Sequence, residues 1–165
     1  MARRRRPRRD PVEQALLGRL KAVYDEVEQA YATHRCEGTT QCCRFAITGR
    51  EPYVTSIELL AVQRAVARRG GPLKDKRRAL PMAHDSRAAE RVCPLLSEDA
   101  RCAIYVDRPL GCRTFWCQRV TSEGQIDQKQ LNGYVRRVQE IAADHEHGGD
   151  KGRPLTRALA DLGLD

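Results

Sequence analysis

Apolar residues recur at helical spacing in several stretches of the chain, and these stretches set the frame. Leu16, Leu20, Val23, Val27 and Tyr31 follow one another at steps of 4, 3, 4 and 4, which lines them along one face of a helix opposite Glu13, Arg19, Asp25 and Glu26. Asp10, Pro11 and Glu13 mark its start as an N-cap acceptor, a first-turn proline and an acid at the third position. Thr55 and Glu58 repeat that start signal before Leu59, Val62 and Val66, and the run Arg68, Arg69, Gly70, Gly71, Pro72 ends the second helix. Leu131, Tyr134, Val138, Ile141 and His145 predict a third helix over roughly residues 126–146, closed by Gly148 and Gly149. Leu155, Leu159 and Leu162 predict a short last helix from Pro154.

Between the helices the pattern changes. Phe45, Ile47 and Tyr53, separated by Gly49 and Pro52, read as short extended pieces around a turn. Ala103 to Val106 reads as a short strand and Asp107 to Gly111 as a turn. Residues 73–91, rich in Arg, Lys and Ala, predict marginal, mostly exposed helix. The fold class that follows is mainly α with short β segments, a small α+β domain whose amphipathic helices surround a cysteine-rich loop core. At 165 residues the chain suits one domain, residues 10–165, preceded by an arm at residues 1–9 and ending in C-terminal helices over 126–163.

Charge changes the picture only at the N-terminus. Of the formal net charge of +8, Arg3, Arg4, Arg5, Arg6, Arg8 and Arg9 supply six, leaving +2 for the remainder. The arm is expected to be disordered, and any nucleic-acid contact is expected only through it; a solvated tail is the plainer alternative. No stretch approaches the ~20 apolar residues that cross a bilayer, so no membrane partner is expected. The first 30 residues hold no apolar run of the signal-peptide kind, and a reduced, cytoplasmic setting follows as the expectation.

Cysteine placement carries the chemistry. All seven cysteines lie in two short stretches, Cys36, Cys42 and Cys43 in the first and Cys93, Cys102, Cys112 and Cys117 in the second. They sit beside Pro, Gly, Arg and Asp, in turn chemistry rather than on apolar helix faces, which points to a thiolate-bound metal or an iron–sulfur centre. There is no C-x-x-C, so an ordinary zinc knuckle and a bacterial-ferredoxin spacing are both disfavoured. Cys42 and Cys43 are adjacent, and in an extended backbone their side chains leave on opposite faces, so the pair is not expected to reach one ion together. Two centres, or one centre with a spare core thiol, both stay open. His34 and His84 are the nearest candidates for an eighth donor, while His145 and His147 are accounted for by a helix C-terminus. Arg44, Arg101, Arg108 and Arg113 each stand within a few residues of a cysteine and suit the offsetting of thiolate charge.

These residues resemble a known family. Cys36-Glu-Gly-Thr-Thr-Gln-Cys42-Cys43, then Cys93-Pro94-Leu95, then Cys102-Ala-Ile-Tyr105-Val-Asp-Arg108-Pro109-Leu-Gly-Cys112-Arg113-Thr-Phe115-Trp-Cys117 are similar to the YkgJ-type cysteine-cluster family, over roughly residues 30–120. The resemblance implies a domain that chelates zinc or iron, with all seven cysteines as metal ligands. The family's first run usually reads C-x-x-C-G-x-C-C, and here Thr39 stands at the second cysteine and Thr40 at the glycine. If eight thiols fill two sites in the family, one site here is incomplete.

Three functions follow as expectations. The first is a metal-binding protein with zinc, iron or an iron–sulfur cluster, acting with or without a protein partner. The second is a protein-modifying enzyme, since some members of the resembled family carry this domain in flagellin lysine methylases, although no glycine-rich strand-to-helix turn marks a dinucleotide-type site. The third is a zinc-stabilised nucleic-acid-binding module, against which the near-neutral folded part counts.

Overall fold

The structure is a computed structural model that describes residues 10–33, 40–72, 91–115, 127–147 and 150–164. The expected arm at 1–9, the marginal helix expected over residues 73–91 (but for Arg91) and the closing Gly148 and Gly149 lie outside the described residues.

The order along the chain is α1 (Pro11–Ala30), a 3-10 turn (Gln41–Cys43), α2 (Phe45–Thr48), β1 (Tyr53–Val54), α3 (Ser56–Arg68), a 3-10 turn (Tyr105–Asp107), α4 (Leu110–Arg113), α5 (Gln128–His145), β2 (Arg153–Pro154) and α6 (Leu155–Ala160). The Asp10 carboxylate caps α1 by accepting from Val12 N at 2.8 Å. Glu13, expected to complete a capping box there, instead pairs with Arg64 of α3. All five residues of the α1 stripe are buried, and with Ile57, Leu110, Tyr134, Val138, Ile141 and Ala142 they form one core between α1, α3 and α5. Arg137 clamps Glu26 at 2.5 and 2.7 Å, and Arg19 reaches Asp144 at 2.5 Å, tying α1 to α5 on the outside.

A second core lies on the other side of α3. Leu59, Val62 and Val66 pack there with Phe45, Val54, Leu95, Leu96, Ile104, Leu155 and Leu159, and Cys43, Cys93, Cys102 and Cys112 lie in or against it. The helix therefore serves both cores, because Ile57 points to one and Leu59 and Val62 to the other. β1 and β2 pair antiparallel with Tyr53 opposite Pro154 and Val54 opposite Arg153. Gly152, at φ +82°, lets them meet: a Cβ there would stand 3.3 Å from the Val54 carbonyl oxygen. Glu51 joins this ribbon to α6 by accepting from Thr156 N at 2.7 Å and from Arg91 at 2.9 Å.

Glu58 links the helices. Its carboxylate, 3% exposed, accepts from Thr55 N at 3.0 Å and Thr55 Oγ1 at 2.9 Å through Oε2, and from Tyr24 Oη at 3.0 Å and Leu110 N at 2.8 Å through Oε1. The capping box read from sequence thus also holds α1 and α4.

Two expectations fail. Phe45 to Thr48 is a helical turn rather than an extended piece: Gly49, at φ +64°, closes it by donating to the Phe45 carbonyl at 2.9 Å. In a single turn Phe45 and Ile47 still fall on different sides, one buried and the other exposed, which imitates strand alternation. Ala103 to Val106 is not a strand either. Only the Leu96–Cys102 bridge forms, and Asp107 N donates to the Ile104 carbonyl at 2.8 Å to close the 3-10 turn. β-branched residues favour a strand only where a neighbouring strand exists to pair with.

No helix among the described residues is long and apolar enough to cross a membrane.

Glu58→Gln replaces one acceptor oxygen with an amide that faces two buried donors. We expect it to lower the unfolding free energy by about 2–4 kcal/mol, read from urea midpoints at constant slope. Burial first, and the Glu58 carboxylate second, push the Tyr24 hydroxyl well above its ordinary value. The folded chain therefore favours the neutral phenol, and its contribution is complete below pH about 10 and lost as pH rises beyond that. Tyr24→Phe should flatten the alkaline loss relative to the unsubstituted chain, compared by urea unfolding at pH about 9 and about 11; parallel losses would show that Tyr24 is not the group involved.

Candidate metal centre

The first cysteine pair is set by a tight turn. Thr40 enters it with φ +52°, Cys43 N donates to the Thr40 carbonyl at 2.9 Å, and Arg44 N donates to that of Gln41 at 3.0 Å. This 3-10 geometry, not an extended one, brings the Cys42 and Cys43 sulfurs to 3.9 Å, so the expectation that neighbouring side chains diverge is overturned. Metal–sulfur bonds of about 2.3 Å at the tetrahedral angle separate two sulfurs by about 3.8 Å, so the pair already has the edge length of a zinc thiolate site.

The second run is stitched to the first through the backbone. Cys93 N donates to the Cys43 carbonyl at 2.7 Å, Phe45 N to that of Arg91 at 3.1 Å, and Arg44 bridges Val92. Leu96 N donates to the Cys93 carbonyl at 3.0 Å and Ala103 N to that of Leu95 at 2.9 Å, which returns the loop so that Cys102 lies beside Leu96. Cys112 rides on α4, where its amide donates to the Pro109 carbonyl at 3.0 Å. Glu58 holds α4 by the Leu110 amide, and Gly111 permits the approach to β1, since a Cβ there would lie 3.0 Å from Pro52 Cβ.

The thiols act on one another. The hydrogen bond with Cys43, helped by the Arg108 charge, lowers the Cys42 thiol to about 7. Its partner Cys43 is pushed the other way, by that same hydrogen bond first and then by burial and the charges of Cys42, Cys93 and Cys102. Burial raises Cys102, and it raises Cys112 strongly, with Cys93, Cys102 and Cys42 adding to the second effect. These five cysteines therefore form one electrostatic neighbourhood. Among the described residues, no three His, Cys, Asp or Glu side chains make a ready group for one ion. Cys36, Cys117, His34 and His84 lie outside the described residues.

The expected arginines divide. Arg108 stacks over the Tyr105 ring at 3.9 Å, its charge acts on Cys42 and Cys102, and its Nε is buried without a hydrogen-bond partner among the described residues. A buried donor without an acceptor costs about 1–3 kcal/mol, so Arg108 Nε is an atom that an added acceptor would satisfy. Arg113 turns away from the thiols. It is 8% exposed, donates through Nε to the Arg108 carbonyl at 2.8 Å, bonds the Val106 carbonyl and Glu28, and lies 4.2 Å from the Tyr24 ring centroid. Arg101 is exposed and serves the loop through its carbonyl, which accepts from Ser97 N at 2.9 Å. Arg69, at the end of α3, acts on Cys102, and sequence reasoning missed it because it lies 33 residues away in the chain.

Comparison with known families gives a match over residues 35–134 to the CxxCxxCC family, described as "Putative zinc- or iron-chelating domain". No curated protein matches the chain, and no solved structure does. The match spans more than half of the sequence and contains every cysteine of both runs. The adjacent thiol pair and this match agree, and the chain belongs to the CxxCxxCC family.

Proposed function

We propose that the protein chelates zinc or iron through a single thiolate centre built from both cysteine runs, with ligands drawn from Cys36, Cys42, Cys43, Cys93, Cys102, Cys112 and Cys117. The observation that carries this reading is the 3.9 Å separation of the Cys42 and Cys43 sulfurs, in a turn whose Cys43 carbonyl accepts from the amide of Cys93. One centre is favoured over two because the two runs are joined through the backbone, with Cys93 N donating to the Cys43 carbonyl at 2.7 Å and Arg44 bridging Val92. A bound cation supplies the positive charge that lets crowded thiols ionise together, and it ties the loops to the second core.

The chain's own residues do the rest. Cys42 and Cys43 offer an adjacent pair, and Cys93, Cys102 and Cys112 would supply further sulfurs, the last from α4, whose Leu110 amide Glu58 holds. Reduced thiols are required, which suits a cytoplasmic setting.

Anaerobic purification followed by elemental analysis, sulfide assay and an optical spectrum tests the reading. Stoichiometric zinc in colourless protein, or iron with or without acid-labile sulfide, is the expected result and fixes which form is bound. Reduced, folded protein that retains and takes up neither metal would end it. Saturating metal at about 100 times its Kd should add about 2.7 kcal/mol of stability over the metal-free chain, read as a rise in Tm. Cys42→Ser and Cys43→Ser should each remove most of that rise.

A further inference from the structure

We propose that Cys42 and Cys43 are a reversible oxidation site, at which a peroxide joins the two adjacent sulfurs as a disulfide. The inference goes beyond chelation and needs no ion, since it rests on where the turn sets the two side chains.

Adjacent cysteines in an extended backbone send their sulfurs to opposite faces, so the pair meets only where the backbone turns tightly. Here the 3-10 turn brings the two sulfurs to 3.9 Å. The turn is held on both sides: Thr40 enters it at φ +52°, Cys43 N donates to the Thr40 carbonyl at 2.9 Å, and the Cys43 carbonyl accepts from Cys93 N at 2.7 Å. What separates this contact from a bond of about 2.05 Å is rotation of two short side chains and some give in the peptide between them. Both residues are free thiols and half-buried, within reach of a small oxidant, whereas Cys93 is buried. Adjacent Cα atoms stand about 3.8 Å apart across a trans peptide, closer than the about 4.4–6.8 Å of ordinary disulfides, so the bond is one that thiols reduce readily.

The chemistry balances with hydrogen peroxide as the oxidant. One sulfur attacks a peroxide oxygen, the O–O bond breaks, and a sulfenic acid forms as the other oxygen leaves as water. The second sulfur then attacks the first, the S–O bond breaks, and the hydroxyl leaves as water with the second thiol's proton. Two thiols and one hydrogen peroxide thus give one disulfide and two waters. A small thiol reverses the step by exchange and leaves as its own disulfide. While bonded to each other, the two sulfurs are withdrawn as thiolate donors.

The full reduced chain is treated with one equivalent of hydrogen peroxide, once folded and once in urea, then quenched with iodoacetamide and cleaved with trypsin. Cleavage after Arg35 and Arg44 places Cys36, Cys42 and Cys43 in one peptide, which fragmentation reads residue by residue. The expected product is that peptide two hydrogens lighter, alkylated at Cys36 alone, formed at least about 10-fold faster in the folded chain than in urea and returned to three free thiols by dithiothreitol. Alkylation of both Cys42 and Cys43 once the peroxide is consumed would overturn the assignment, and so would a bond from either of them to Cys36 or to another peptide. Equal rates with and without urea would also overturn it, because the folded turn would then have no part in the reaction.

Discussion

The Glu58 carboxylate joins parts of the molecule that have little else in common. A buried carboxylate is costly unless donors surround it, and here four donors from α1, the α3 cap and α4 fill both oxygens. Among the described residues, the cysteine-bearing stretches hold short turns and isolated bridges, so little regular hydrogen bonding fixes their position. Cys112 takes its position from α4, one amide of which Glu58 fixes two residues earlier. One side chain of α3 therefore ties the helical frame to the turn that carries Cys112.

The second constraint is electrostatic. Folding brings thiols together that oppose one another's ionisation, and burial adds to the opposition at Cys102 and Cys112. Such an arrangement is tolerable while the sulfurs stay protonated, and it becomes favourable when positive charge enters. Arg69 and Arg108 supply part of that charge from opposite ends of the intervening chain. On the proposed function an ion would supply the remainder, and it would be a cation that thiolates bind well.

The large helices were legible because their apolar residues repeat over several turns, and a long repeat leaves few alternatives. α1, α3 and α5 bury the stripes that the spacing predicts, with Leu131 and His145 only partly covered. Short segments were not legible for the converse reason. Phe45 to Thr48 and Ala103 to Val106 are four residues each, too few for a period to declare itself, and their conformations are set by Gly49 and by the lack of a pairing strand. The sulfur-rich region was visible in the clustering of cysteines, but the approach of Cys42 to Cys43 depends on the left-handed backbone of Thr40, which a threonine does not announce. Proximity along the chain also misjudged the arginines. Arg113 is spent on Glu28 and two carbonyls, while Arg69 comes to the thiols through folding alone.

Gly111 shows how finely that arrangement is tuned. It precedes Cys112 on α4, and the space a methyl group would need there is taken by Pro52. Adding one carbon would require Pro52 or the short helix to give by a few tenths of an ångström, beside the residue that carries the Cys112 sulfur. A change that touches neither a charge nor a thiol would therefore act on the proposed thiolate centre simply by thickening the backbone that carries it.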